Sequence, residues 1–205
     1  DVTMVREGEV DEDKRATLRR FAALGAASPF ARFAADDSDS DAPDAIAGYV
    51  SAHPGTHFSK LRDDLKLGTG EAQHHLHRLE NAAVVASRKD GDYRRYFPAG
   101  QFSETEQVTL GYIRRDTPRG MFVTLLRNPE VTAAELASEL GVSRPTISNY
   151  AGELEAAGLL SRADGYAVTE PETILTLLIR YADSFGDDAA ALARATREDR
   201  RVEAG

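Results

Sequence analysis

Thr69-Gly70-Glu71-Ala72-Gln73-His74-His75-Leu76-His77-Arg78-Leu79-Glu80 is the stretch on which the reading of this chain turns. Ala72, Leu76 and Leu79 recur at i, i+4 and i+7, which gathers them on one side of a helix and leaves Gln73, His74, His77 and Arg78 on the other. Upstream, Ser59 to Lys66 reads as a short helix with Leu61 and Leu65 on one face. Leu67-Gly68 makes a turn, and Thr69 is the expected N-cap. Downstream, Val84-Val85-Ala86-Ser87-Arg88, the turn pair Asp90-Gly91 and Tyr93-Arg94-Arg95-Tyr96-Phe97 carry a hairpin signal. Ahead of everything, Ile46 to Ala52 supplies one more helix, with Ile46, Tyr49 and Val50 inward, stopped by His53-Pro54-Gly55.

Three helices and a hairpin in this order are the plan of a winged helix-turn-helix, with Thr69 to Glu80 as recognition helix and the hairpin as wing. The plan repeats. Shifted by 75 residues, Pro54 falls on Pro129, Leu61 on Leu136, Leu65 on Leu140, Leu67 on Val142, Leu79 on Leu154, Val84 on Leu159 and Val85 on Leu160. Coincidences at core and turn positions at one offset indicate two segments of one fold. In the second copy Thr132 and Glu135 form a capping box, Gly141-Val142 makes the turn, and Ser143 caps a helix with Pro145 in its first turn. Ile147, Ala151 and Leu154 point inward there, and Arg144, Thr146, Ser148 and Asn149 outward. Its wing, Arg162-Ala163-Asp164-Gly165-Tyr166, is shorter and less basic.

The expected fold is mainly α with small β-hairpin wings: two winged helix-turn-helix domains in tandem plus N- and C-terminal helices. The expected divisions are an acidic arm over 1–43, a first winged domain over 44–100, a linker helix over 101–117, a second winged domain over 118–170 and a C-terminal helix and tail over 171–205. Ser103 and Glu106 form the capping box of the linker helix, which should run to about Arg115 before Pro118 and Gly120 break it. Asp1 to Asp13 reads as a solvated acidic lead, Lys14 to Leu24 as a helix, and Asp36 to Asp44 as a linker. Arg19-Arg20 followed by apolar residues has the look of an export signal. Arg32 and Asp36-Asp37 interrupt it, so a packing or dimerising helix is the better reading.

The chain has 205 residues, no cysteine and a net charge of -9. Disulfides, zinc ribbons and thiol catalysis are thereby excluded. No apolar run approaches the roughly 18 residues of a membrane-spanning helix, and a cytoplasmic location is expected. The charge is uneven: residues 45–120 carry 11 bases against 9 acids, whereas 121–205 carry 8 against 14. The bases are 21 Arg to 4 Lys, beside 18 Asp, a composition that resembles haloarchaeal proteins. In molar salt the Debye length is about 3 Å, so a global negative charge argues only weakly against DNA.

The chain resembles the tandem winged helix-turn-helix transcriptional regulators of haloarchaea, in the broad ArsR/MarR-like class. The residues that carry the likeness are His74 to Glu80 with Val84-Val85, and Ser143 to Ser148 with Leu154 to Leu160. Asn81-Ala82-Ala83 replaces the usual Ala-Gly before the first wing. The resemblance implies a homodimer that binds double-stranded DNA at promoters. On that basis Thr69, Gln73, His74, His77 and Arg78, with Ser143, Arg144, Thr146, Ser148 and Asn149, are the candidate groove-reading residues. Arg88, Lys89, Arg94, Arg95, Arg114, Arg115 and Arg119 are the candidate phosphate contacts. Leu18 and Phe21, with the stripe Ile174, Leu177, Leu178, Tyr181 and Phe185, are the candidate dimer interface. A dimer would set two recognition helices roughly 34 Å apart on a palindrome.

Two other classes compete. Tandem winged domains also serve as protein-interaction scaffolds with no direct DNA contact, and the acidic final third suits that role. An enzyme is disfavoured, because no phosphate loop, nucleophile elbow or paired-carboxylate motif is present. The five histidines all lie between His53 and His77, and His74 and His77 stand at i, i+3. Without cysteine or a carboxylate at diagnostic spacing they do not make a metal site, and no cofactor is expected.

Overall fold

The computed structural model describes residues 2–26 and 41–203, with side chains described for 12–24 and 41–198. The chain divides into two compact units, Asp1–Gln107 and Val108–Gly205.

In the first unit α1 (Val2–Ala26) packs along α2 (Ala42–Ala52), followed by β1 (Thr56–His57), α3 (Phe58–Asp64), α4 (Thr69–Asn81), β2 (Val85–Asp90) and β3 (Tyr93–Pro98). The lead expected as a solvated arm is thus helical from Val2. Its Glu, Arg and Lys residues are good helix formers, and Gly8 is the lone breaker in the run. The linker expected over Asp36 to Asp44 lies mostly outside the described residues. Its end, Pro43-Asp44, instead forms the first turn of α2, where a proline's missing N–H is no loss. Leu18 joins Ile46, Tyr49, Val50, Leu61, Leu65, Leu76 and Leu79 in one buried cluster. The three-stranded sheet runs β1-β3-β2, all antiparallel, with Asp90 opposite Tyr93 and Val85 opposite Pro98.

The second unit is entered through α5 (Glu104–Ile113), which spans the boundary. It holds α6 (Asp116–Arg127), α7 (Ala133–Glu139), α8 (Arg144–Ala156), the short hairpin β4 (Leu160–Ser161) and β5 (Ala167–Val168), α9 (Pro171–Arg180), a 3-10 turn at Ala182–Ser184 and α10 (Asp187–Glu203). The offset of 75 holds at the element ends: α3 maps onto α7, α4 onto α8, and the start of β2 onto that of β4. Pro118 and Gly120 do not break a helix. They lie in the first half of α6, where Pro118 needs no intrahelical donor and Gly120 admits Leu140, whose Cδ2 would stand 2.6 Å from an added Cβ.

The expected dimer stripe is largely core instead. Ile174, Leu177, Leu178 and Tyr181 are buried inside the second unit among α6, α9 and α10, and Leu18 is buried inside the first. Phe21 is half-buried, its ring edge-on to Tyr49 at 5.1 Å. Phe185 lies 4.5 Å from the Arg114 guanidinium. The stripe gave no sign of its cover, because α10 begins after it ends and brings Ala189, Leu192 and Ala193 back onto it.

Candidate nucleic-acid interface

Helix α4 begins one residue earlier than a Thr69 cap would require. Gly68 is the N-cap, its N–H donating to Glu71 Oε2 at 3.1 Å, and Thr69 is the first helical residue. Burial of Glu71 opposes ionisation, but the Gly68 N–H and the Lys14 ammonium outweigh it and hold the carboxyl below its ordinary range. Ala72, Leu76 and Leu79 are buried, whereas Thr69, Gln73, His74, His77 and Arg78 are exposed. One helix therefore presents a continuous polar ridge above an apolar underside.

The wing adds charge to that ridge unevenly. Lys89 and Arg94 are direct cross-strand partners, so their side chains share a face, and both are exposed. Like charges placed opposite one another destabilise a hairpin. Arg94 leans on the helix, donating to Ser87 Oγ at 3.1 Å with Glu80 at 3.7 Å. Arg88 is half-buried and bonded to Glu104 at 3.0 Å. Arg95 faces the other way. It is only 3% exposed, with Nε on the Asp90 carboxylate and Nη1 donating to the Gly55 carbonyl at 2.9 Å. It pins the wing to the turn that leads into β1 and is unavailable to a phosphate, contrary to expectation. Tyr93, at the wing tip, is 52% exposed and its ring lies 5.0 Å from that of His57.

In the second unit Ser143 caps α8, its Oγ accepting from the Thr146 N–H at 3.2 Å. Arg144, Ser148 and Asn149 are exposed and Thr146 half-buried, over buried Ile147, Ala151 and Leu154. The offset pairs Gln73 with Ser148, His74 with Asn149 and Arg78 with Glu153, so the same ridge changes sign towards its C-terminal end. Arg162 on the short wing is bonded to Glu155 at 2.7 Å, and Arg115 lies 3.6 Å from Glu153. Arg119 is 7% exposed and clamped by Asp188 at 2.8 Å and Asp116 at 2.8 Å. Arg114 donates to the Ser184 carbonyl at 2.5 Å and to its hydroxyl at 3.1 Å. Arg114 and Arg119 thus fasten the C-terminal segment and do not form a phosphate surface. Ser184 and Asp188, which they hold, stand 70 and 69 residues away along the chain, beyond the reach of any local pattern.

The histidines are dispersed. His53 stacks on Tyr49 at 4.3 Å, and His57 caps α3, its Nδ1 accepting from the Lys60 N–H at 3.3 Å. Among the described residues no three His, Cys, Asp or Glu side chains are grouped to hold a metal ion, and no helix is long and apolar enough to cross a membrane. One residue at this surface escaped the sequence reading: Lys66, in the turn before α4. The clue was available, since the equivalent residue of the second copy is Gly141.

Residues 40–110 match a family model described as an N-terminal HTH domain, and residues 121–166 match the MarR family. Over 121 residues, 58% of its length, the chain is 27% identical to an uncharacterized HTH-type transcriptional regulator of Methanocaldococcus jannaschii, and it spans 30% of that protein. No solved structure matches it. The two family matches fall on the two copies. Both matches agree with the tandem winged helix-turn-helix fold.

Proposed function

We propose that this tandem of winged helix-turn-helix domains is a sequence-specific DNA-binding transcriptional regulator. The observation that carries the reading is the exposed ridge Gln73, His74, His77 and Arg78 on α4, flanked on the wing by the opposed cations Lys89 and Arg94. Amide, imidazole and guanidinium groups on a helix face are suited to base edges, and a pair of cations beside them to phosphates. The name of the relative and the two family matches support the same reading. In the second domain Arg144 is the base reader, because a guanidinium at a helix N-terminus can form a bidentate pair with guanine. The protein acts on its site as a homodimer, the arrangement that the family resemblance implies, through a surface other than the buried stripe. The Asp- and Arg-rich, Lys-poor composition suits work at molar salt in the cytoplasm.

Mapping of sites occupied in cells, followed by gel shifts of the recovered duplexes at molar KCl, tests the reading. A shared motif bound in preference to random duplex is the expected result. Absence of any enriched sequence would remove the assignment. Sedimentation at the same salt tests the dimer.

A second reading concerns α8 alone. Glu153 stands where α4 has Arg78, and Arg162 is tied to Glu155. This favours a protein partner for the second domain. A footprint confined to one domain's width of DNA would support it, and protection by both would not.

A further inference from the structure

We propose that Lys66 is a phosphate-binding residue of the first winged domain, and that the Asp13 carboxylate of α1 occupies its ammonium until DNA displaces it. The inference rests on the DNA-binding reading above and adds to it a contact and a built-in competitor.

The backbone points to Lys66 first. Its φ is 56°, a left-handed conformation that any residue with a Cβ adopts against steric resistance. At the equivalent place in the second copy Gly141 has φ 64°. Both close the same turn: the Lys66 and Leu67 N–H groups donate to Asp63 and Arg62 carbonyls at 3.1 and 3.0 Å, and those of Gly141 and Val142 to Ser138 and Ala137 at 3.3 and 3.0 Å. Glycine makes this turn without strain, so what the first copy retains at position 66 is the lysine side chain. Strain kept at one copy and absent from the other directs attention to that side chain's use.

Its location supplies the use. Lys66 stands two residues ahead of Gly68, the cap of α4. A recognition helix that enters a groove by its N-terminal end brings the preceding turn alongside the sugar-phosphate backbone, where helix dipole and ammonium both favour an anion. The site already holds one. Lys66 Nζ is bonded to Asp13 Oδ2, and the next residue on α1, Lys14, bonds Glu71 in the first turn of α4 at 3.1 and 3.3 Å. The Lys14 contact fixes α1 beside the turn and so presents the Asp13 carboxylate to Lys66. The Asp13 and Lys66 side chains remain 66% and 41% exposed. A pair so solvated is weak and exchangeable, as a contact that yields to a phosphodiester must be.

The test is titration of a random-sequence duplex with the full chain by fluorescence anisotropy across a KCl series, using wild type, Lys66→Gly, Asp13→Asn and the double variant, with thermal melts of each. Lys66→Gly should melt at or above wild type, because it relieves the turn. It should also bind more weakly, with a salt slope shallower by about 0.9, the loss of one phosphate contact. Asp13→Asn should bind tighter, by roughly three-fold, and this gain should vanish in the Lys66→Gly background. Unchanged affinity and slope for Lys66→Gly would overturn the proposal, as would an Asp13→Asn gain that persists without Lys66. If wild type binds the duplex and Asp13→Asn binds no tighter, the competitor alone is lost. If no variant binds any duplex, the DNA-binding reading falls and takes this inference with it.

Discussion

Ala83 and Gly158, 75 residues apart, adopt the same left-handed backbone, with φ of 54° and 73°, and end α4 and α8 by the same pair of bonds. Val84 and Leu159 donate back to the Leu79 and Leu154 carbonyls at 2.9 and 2.8 Å, and Ala83 and Gly158 to Glu80 and Glu155 at 3.0 and 2.9 Å. This Schellman closure favours glycine at the left-handed position. No contact in the structure explains the alanine in the first copy. Ala83→Gly should therefore stabilise the first unit by about 0.5 kcal/mol, the relief of strain being partly offset by a looser unfolded chain. Gly158→Ala, whose added Cβ meets nothing within 4 Å, should destabilise the second by about 1 kcal/mol through backbone strain alone. Denaturant melts of the two variants that move in the same direction would contradict this.

Arg95→Ala should destabilise the first unit by about 3 kcal/mol, because it removes a buried guanidinium from the Asp90 carboxylate and the Gly55 carbonyl. Lys89→Ala, on the same wing but exposed, should leave the melt within about 0.5 kcal/mol of wild type. Chemical denaturation of both variants distinguishes the structural arginine from the surface cation, and equal losses would refute the distinction.

Arg119→Met should loosen the second unit by leaving Asp188 and Asp116 without their shared cation. Hydrogen exchange should rise first at the N-terminal turn of α10, which Asp188 belongs to, before α7 and α8 respond. Uniform exchange across the unit would show that the clamp is not local.

Stability of the first unit should fall in acid. Burial raises the Asp64 carboxyl, but the Lys60 and Tyr49 hydrogen bonds outweigh it, and its net value lies below the ordinary 3.8. Glu71 likewise lies below 4.5. A depressed carboxylate contributes stability that is fully present above its ordinary value and is lost as pH falls through the folded value. The loss therefore begins near pH 4.5. Asp44, raised by burial and then by Asp41, has the opposite sign and offsets part of it. Lys14→Gln removes one cause of the Glu71 depression, so its melting temperature should drop less between pH 7 and pH 4 than that of wild type, and an equal drop would count against the argument.

On DNA, Arg94→Ala should weaken binding to cognate and random duplex alike and make the salt slope shallower by about 0.9. Arg144→Ala should relax sequence preference by about 1–3 kcal/mol at one base pair. Competition titrations read the two separately, and equal loss on both duplexes for Arg144→Ala would end its role as a base reader.

The tandem architecture was legible in the residues alone. The leucine spacing, the Thr132 and Ser143 caps and the hairpin around Gly91 are local features, each decided within a few bonds of the chain, and the offset of 75 made every feature count twice. The outward faces of α4 and α8 were legible for the same reason, since a helix turns its side chains by a fixed angle. Which arginines stay at the surface was not. Arg88, Lys89, Arg94 and Arg95 form one basic run in sequence, but strand alternation and the arrival of Gly55 from 40 residues upstream turn Arg95 into a buried tie. Asp188 does the same to Arg119, and α10 turns the supposed dimer stripe into core. Local geometry is set by neighbours in the chain and can be read from them. The fate of a charge or an apolar face depends on what packs against it, and only tertiary structure brings those distant groups together.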